Sequence, residues 1–492
     1  MTASLLRLSE ETLLKSIWNI ANHTFPGCQI RLTGGWVRDR LRGVPSNDID
    51  LILWQANPQQ FASSILQHFP GSMHPMEPAP DKSRKVEAVK LYLYTPGEER
   101  FELDLMQITH GSNFHEALQG DALRRDFTIN ALFYDYQYQC IDDPTRGLDD
   151  LNQQQLRLTG NNPLRLQEDP LRLLRLARFH AQLGFNIEKQ TRTAMECPTT
   201  ISLLRQVSTE RIGQELWQIS SQDGTSAALE LLFECGALDT LLTMALGEVN
   251  LAPWDIDQMT PHHHLSLWQH SLMALKCMEK KVSNSSDLQK RSALLLAALL
   301  HDIGKRCPWL WQNNERGHRT YYGHEHASAT MTETFLRHYH FPQSFCARVK
   351  ALVKSHMLPA SLAQAKDKTL RNFLRKAVQE ELDWHDTFAL CYCDIVSKGK
   401  SPEETSMILT QLTKLEQRVS IVERHCHEIG RPPQQPLFNG HAIMKIFSNH
   451  TPGPWIGEVQ QALLEIQDEQ PAIETSHAAA LLRESFPAYV AP

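Results

Sequence analysis

Two pairs of residues in this chain have the types and spacing to bind a cation and act on a phosphate: Asp48-Ile49-Asp50 and His301-Asp302. On an extended strand, residues two apart point to one face, so the Asp48 and Asp50 carboxylates lie roughly 7 Å apart. Like charges aimed the same way, followed at once by Leu51-Ile52-Leu53, are a poor choice unless a cation sits between them. Hard oxygen ligands that leave positions open suit Mg²⁺ bridging to substrate phosphates. A third carboxylate from another strand completes an arrangement that activates an attacking hydroxyl and holds a leaving pyrophosphate. Glu102-Leu103-Asp104 offers two candidates, of which Asp104 is preferred.

These carboxylates need a frame, and the flanking sequence predicts one. Ile30 to Thr33, Asp48 to Trp54, Glu87 to Tyr94 and Arg100 to Ile108 alternate or run apolar, as half-buried strands do. Thr33-Gly34-Gly35-Trp36-Val37-Arg38-Asp39 follows the first strand and opens a helical pattern. Gly34 and Gly35 let backbone approach a phosphate, the helix start presents unpaired N–H groups, and Arg38 adds a charged donor one turn in. Downstream, Arg124-Arg125-Asp126 stands before an apolar stretch and reads as a charged helix start. Asp126 offers an acceptor there, with Asn130 one turn on. Asp169, Arg172, Arg175 and Arg178 recur every three residues and predict one polar helical track. Such side chains carry the donor and acceptor patterns that a base edge requires.

His301-Asp302-Ile303-Gly304-Lys305 closes the most apolar helix of the chain, SALLLAALL. Ending a buried helix on His and Asp is costly unless both are ligated or hydrogen-bonded. His270 upstream, and His324, His356 and Asp394 downstream, are the further ligand candidates. Mixed His and Asp ligands suit a divalent metal, Ni²⁺, Mn²⁺ or Mg²⁺. The implied chemistry is attack of metal-activated water on a phosphate ester. His262, His263 and His318 carry no such context and are read as surface or core.

At 492 residues the chain is too long for one core. Helical spacing takes over from Asn152, and the polar or Pro-rich stretches Leu251 to Pro261 and Arg431 to Pro436 are read as linkers. The boundaries expected are 1–150, 151–245, 246–400 and 401–492. Ten cysteines are scattered without a C-x-x-C pair, which fits reduced thiols and a cytoplasmic protein. No apolar run approaches the roughly 20 residues that a membrane helix needs. Met1 to Glu10 carries no secretory pattern. A net charge of −7 excludes a generally basic coat, so RNA must meet local basic surface. No obligatory protein partner is evident.

The motifs together are specific. GGWVRDRLRG with NDIDL resembles the head signature of class II tRNA nucleotidyltransferases and bacterial poly(A) polymerases, within the DNA polymerase β superfamily. Leu123 to Leu132, Asp143 to Leu151, Glu168 to Arg172 and Ser208 to Leu216 are similar to the four motifs that follow in that family. The resemblance implies an α+β fold: a small mixed β-sheet head, then an all-α neck, HD domain and tail. It implies Mg²⁺ in the head, CTP and ATP as substrates and tRNA as acceptor. It implies that Asp126 accepts from the ribose 2′-OH, that Asp169 and Arg172 pair with the incoming base, that Glu168 positions Arg172, and that Arg175 reaches the phosphates. His301-Asp302, Gly323 to Ser328 and Asp394 resemble the HD phosphohydrolases, which implies activity on 2′,3′-cyclic or terminal phosphates. Leu437 to Glu465 resembles the tail that in the family contacts the tRNA elbow. One departure stands out. Only Thr109 to Leu123 separates the last head strand from the Arg-Arg-Asp motif, and this interval is characteristically reduced in enzymes adding CC alone. Complete CCA is the expected product, with CC alone or a poly(A) tail as alternatives. A non-catalytic nucleotide- or RNA-binding module is the reading from another class.

Overall fold

A computed structural model describes residues 8–46, 48–76, 87–94, 99–109, 111–161, 164–247, 249–261, 263–428, 436–447, 451–470 and 473–489. The chain divides into two compact units. One comprises Met1–Arg211 and Ala227–Thr240, the other Ile212–Ser226 and Leu241–Pro492. Predicted linker residues 431–435 and His262 lie outside the described residues.

The first unit is built on a seven-stranded mixed sheet. Its strands are β1 (Gln29–Thr33), β2 (Asp48–Trp54), β3 (Gly71–Pro75), β4 (Ala88–Tyr94), β5 (Arg100–Ile108), β6 (Phe133–Asp135) and β7 (Cys140–Asp142), in the order β3-β4-β5-β2-β1-β6-β7. β2 and β5 are parallel; the other neighbours are antiparallel. Alternation over residues 48–51 of β2 and 100–105 of β5 sets which side chains face inward. Ile49, Leu51, Leu103 and Leu105 are fully buried, and the acids between them face the other way. Four helices matter for the site: α1 (Leu8–Thr24), α2 (Gly34–Leu41), α3 (Phe114–Arg124) and α4 (Leu171–Leu183).

The sequence expectations for two segments change here. Arg124 and Arg125 close α3 rather than open a helix, and cations are favoured at that end by the helix dipole. The interval after β5 is mostly α3, capped by Asn113. Asp169 precedes α4 in an extended conformation and is not on it, because Pro170 bars the residue before it from the helical region. Two-residue strands, Gln155–Leu156 and Asn186–Ile187, also interrupt the helical region.

In the second unit, α5 (Leu267–Val282), α6 (Leu288–Leu300), α7 (His324–His338), α8 (Gln343–Ser355) and α9 (Trp384–Val396) carry the ligand candidates. α6 is buried over its last ten residues, Arg291 to Leu300, as a central helix must be when it is apolar all round. Leu251 to Pro261 is not a linker: Trp254 and Gln258 are fully buried, and Tyr321 donates to the Gln258 carbonyl at 2.8 Å. Its Pro and Asp content reads as a break, but an indole buried to this depth anchors the segment. A separate apolar cluster around Phe447, Leu463 and Leu482 organises the C-terminal helices.

Candidate functional site

The head site starts from the sheet. Asp48 pairs in register with Glu102, and Asp50 with Asp104, across the parallel β2–β5 ladder. The four carboxylates therefore share one face. β1 delivers Thr33 opposite Asp50 and turns at once into α2. Gly34 makes that turn with φ +70°, and a Cβ there would collide with the Asp50 carboxylate, so only glycine brings this backbone so close. Asp50 is pushed up to about 6, first by burial and then by Asp104 and Asp48, against Arg125 and Lys90. A cation beside this group would offset that cost.

A cavity of about 470 Å³ opens above this face. It is lined by Gly34, Gly35, Arg38, Asp50, Arg125, Asp126, Asn130, Asp169, Arg172, Arg175, Arg178 and Phe179. Its wall is one hydrogen-bonded chain. Arg38 Nη1 donates to Asn130 Oδ1 at 2.7 Å, and Asn130 Nδ2 donates to Asp126 Oδ1 at 3.0 Å. Arg175 donates twice to Asp126 Oδ2, at 2.9 and 2.7 Å. Burial alone would raise the Asp126 carboxyl, but Arg175, Asn130 and the Phe127 amide hold it below its ordinary value. Arg172 is buried and donates to the carbonyls of Arg165 and Arg124, at 2.8 and 3.0 Å. Glu168 stands 3.9 Å from Arg172 and pairs with Arg165. Asp169 pairs with Arg211 at 3.0 Å. Asp48, Asp104, Arg124 and Glu168 do not line the cavity. Two residues without a sequence signal belong to the site. Phe179 packs under Arg38, Arg175 and Arg178, with Arg178 4.4 Å from its ring centre. Lys90 lies 3.0 Å from Asp104.

The second site gathers helix ends. His270 on α5, His301 and Asp302 just past α6, and Asp394 on α9 bring ligand atoms within 4.8 Å of one another. Asp302, His324 at the start of α7 and His356 just past α8 form a second such group, so Asp302 belongs to both. Every imidazole is oriented from behind. Nδ1 lies 3.0 Å from the Ser397 carbonyl for His270 and 2.9 Å from the Ala298 carbonyl for His301. For His324 and His356, Nδ1 lies 2.7 Å from the carbonyls of Tyr321 and Val353. Carbonyl partners place the proton on Nδ1 and leave Nε2 as a lone pair facing the centre.

His270 Nε2 and His301 Nε2 are 3.0 Å apart, close enough to share a proton when no cation lies between them. Burial would lower His301, yet Asp302 and Asp394 push it up to about 9. His356 is lowered to about 4, by burial and then by His301. Asp302 Oδ1 and His324 Nε2 are buried and 3.1 Å apart, and neither has a hydrogen-bond partner among the described residues. Orphaned acceptors facing an orphaned carboxylate oxygen fit a divalent metal. Lys305 and Lys398 supply charge at 2.7 Å from Asp302 and 3.0 Å from Asp394. His263, set aside in the sequence, has its ring 4.6 Å from that of His270 and Nε2 3.3 Å from Lys305 Nζ. A cavity of about 860 Å³ opens beside the cluster, lined among others by His263, Lys305, His324, Lys354, Lys376 and Lys398.

Comparison with known proteins bears on both sites. Residues 30–157 match the Poly A polymerase head domain, 184–245 the probable RNA and SrmB-binding site of polymerase A, and 267–386 the HD domain. An A-adding tRNA nucleotidyltransferase of Deinococcus radiodurans is 30% identical over 447 residues, 88% of this chain and 90% of that protein. The chain belongs to the tRNA nucleotidyltransferase family. A multifunctional CCA protein of Legionella pneumophila is 28% identical over 80% of this chain and 92% of its own length. The fold of this nucleotidyltransferase is also that of the Bacillus stearothermophilus CCA-adding enzyme solved with CTP. That match has a TM-score of 0.59 and 20% identity, and covers 98% of this chain and 99% of that one. The Thermotoga maritima CCA-adding enzyme complexed with tRNA matches with a TM-score of 0.57 and 16% identity, over 98% and 97% of the two chains. Both families use divalent metals, and this nucleotidyltransferase has buried His and Asp groups able to hold one. Among the described residues no helix is long and apolar enough to cross a membrane.

Proposed function

We propose that this enzyme adds CMP and AMP from CTP and ATP to the 3′ end of tRNA, completing or repairing CCA, in the cytoplasm. The observation that supports the reading best is the register of β2 and β5, which sets Asp104 beside Asp50, the carboxylate that opens into an arginine-walled cavity. Asp48, Asp50 and Asp104 would hold Mg²⁺, whose chemistry there is to activate the primer hydroxyl and stabilise the leaving pyrophosphate. The Gly34 and Gly35 backbone, Arg38, Arg125 and Arg178 receive the triphosphate. Asp126, fixed by Asn130 and Arg175, faces the ribose. Asp169 and Arg172 present an acceptor and a donor fork to the base edge, with Arg172 oriented by the carbonyls behind it.

A second product, terminal A alone, is favoured by the likeness to the A-adding tRNA nucleotidyltransferase of Deinococcus, which matches over most of both chains. Purified protein given tRNAs ending before the first C, after CC or after CCA, with each labelled NTP, separates the readings. CTP incorporation into the shortest tRNA supports CCA addition; ATP incorporation only after CC supports the second reading. Incorporation of CTP with no A following CC refutes both.

In the HD domain, His270, His301, Asp302, His324, His356 and Asp394 would hold Ni²⁺, Mn²⁺ or Mg²⁺, which supplies a hydroxide at neutral pH. The lysines beside the cluster attract an anionic ester, and Lys305 keeps Asp302 ionised. The activity proposed is hydrolysis of 2′,3′-cyclic or terminal phosphates. Replacing His301 and Asp302 by alanine is expected to abolish turnover of 2′,3′-cyclic AMP while nucleotide addition continues. Loss of both activities would overturn the assignment of two separate sites.

A further inference from the structure

Lys90 contacts the head carboxylates without lining the nucleotide cavity. It pairs with Asp104 in the antiparallel β4–β5 ladder, and Asp104 pairs with Asp50 in the parallel one. Residues in register share a face, so three adjacent strands present Lys90, Asp104 and Asp50 as one row. The next row on that face is Tyr92, Glu102 and Asp48. The Lys90 ammonium lies 3.0 Å from Asp104 Oδ1 and 3.7 Å from Glu102 Oε2. Four carboxylates thus share a face onto which β4 directs one ammonium.

An ammonium and a divalent cation compete for the same carboxylate oxygens. We propose that Lys90 is a built-in counter-ion of this row, a positioning residue that holds Asp104 in the resting enzyme. In that state Asp48 and Asp50 carry the cation affinity, and Asp104 becomes a ligand only when a nucleotide arrives with its own divalent ion. The inference rests on the nucleotidyltransferase reading of the head. The bland alternative is a surface ion pair with no bearing on metal; such pairs are common and weak.

The test is Mn²⁺ binding to the full-length chain without nucleotide, followed by electron paramagnetic resonance, for wild type, Lys90→Met, Lys90→Arg and Asp50→Asn. The difference between wild type and Asp50→Asn isolates the head's share from that of the HD cluster. Lys90→Met is expected to tighten the head's Mn²⁺ binding roughly three- to tenfold, the scale of one unit charge withdrawn from a half-exposed site. Lys90→Arg keeps the charge and is expected to bind as wild type does. A saturating nonhydrolysable NTP is expected to shrink the gap between Met and wild type. Unchanged binding in Lys90→Met, or identical behaviour of Met and Arg variants, overturns the proposal. Equal Mn²⁺ binding by wild type and Asp50→Asn overturns instead the head reading beneath it.

Discussion

The two candidate sites gather groups able to hold a cation from opposite materials. In the head, the acids alternate with leucines on strands, and all remain exposed or half-buried on an open face. In the HD domain every ligand candidate is buried, and each imidazole is pinned through Nδ1 to a backbone carbonyl. The difference follows what each must admit. A polymerising site exchanges triphosphate and its ions at each addition, so its carboxylates stay accessible. The hydrolytic role proposed for the HD cluster requires metal to remain while substrate changes, which suits ligand candidates that are buried and held from behind.

The sharpest way to break this comparison is to disable one site and assay the other. Asp50→Asn is expected to reduce nucleotide incorporation by at least about a thousandfold, since it removes a ligand that acts in the transition state. Cyclic-phosphate hydrolysis by the same preparation stays within twofold, on the order of assay error. Coupled loss would mean that the sites do not act separately.

Two glycines give the next largest effect. A Cβ at Gly34 would meet the Asp50 carboxylate, and one at Gly304 would meet the backbone of His324 and Ser328. Gly34→Ala is expected to lower incorporation roughly a hundredfold and Gly304→Ala to lower hydrolysis by a similar factor, each sparing the other assay. Metal retention sharpens the contrast further. After gel filtration without added metal, elemental analysis is expected to find metal retained by wild type and missing from His301→Ala, with Asp50→Asn unchanged. An equal loss in all three would show the HD cluster to be as labile as the head.

The smallest effect is on stability. Without metal, burial raises Asp50 from 3.8 to about 6, so between these values the folded chain binds more protons than the unfolded one. Stability contributed by this group is therefore lost as pH rises through that window. Asp50→Asn, though inactive, is expected to melt about 2–4 °C higher than wild type at pH 8 in chelator, and no higher at pH 4. A lower melting temperature at pH 8 would show that the ionised carboxylate is stabilised by its surroundings.

Much of the head was legible because alternation and spacing determine strands and faces together. DIDLILW and FELDLMQI show which residues are inside and therefore which acids share a face. What stayed hidden depends on pairing between distant segments. Nothing in EAVKLYLY indicates that Lys90 lies opposite Asp104, because register across strands is not a local property. β6 and β7, three residues each, are too short for a period, and polar β3 lacks one. The three-residue spacing points to a helix at Asp169, but the proline that follows keeps this residue extended. In the HD domain the histidine–aspartate pair was visible, since charge ending an apolar helix needs a reason. His263 was not, because its meaning comes only from the rings and ammonium that folding brings to it.

The parallel ladder has a consequence for how this enzyme tolerates change. Ile49 and Leu51, with Leu103 and Leu105, lock the two strands against sliding, and the acids between them travel with that lock. Deleting one residue inside either strand would exchange acids for leucines along the rest of it, greasing the reactive face and charging the interior at once. The oily side of these two strands is as intolerant of insertion as the chemistry it indexes.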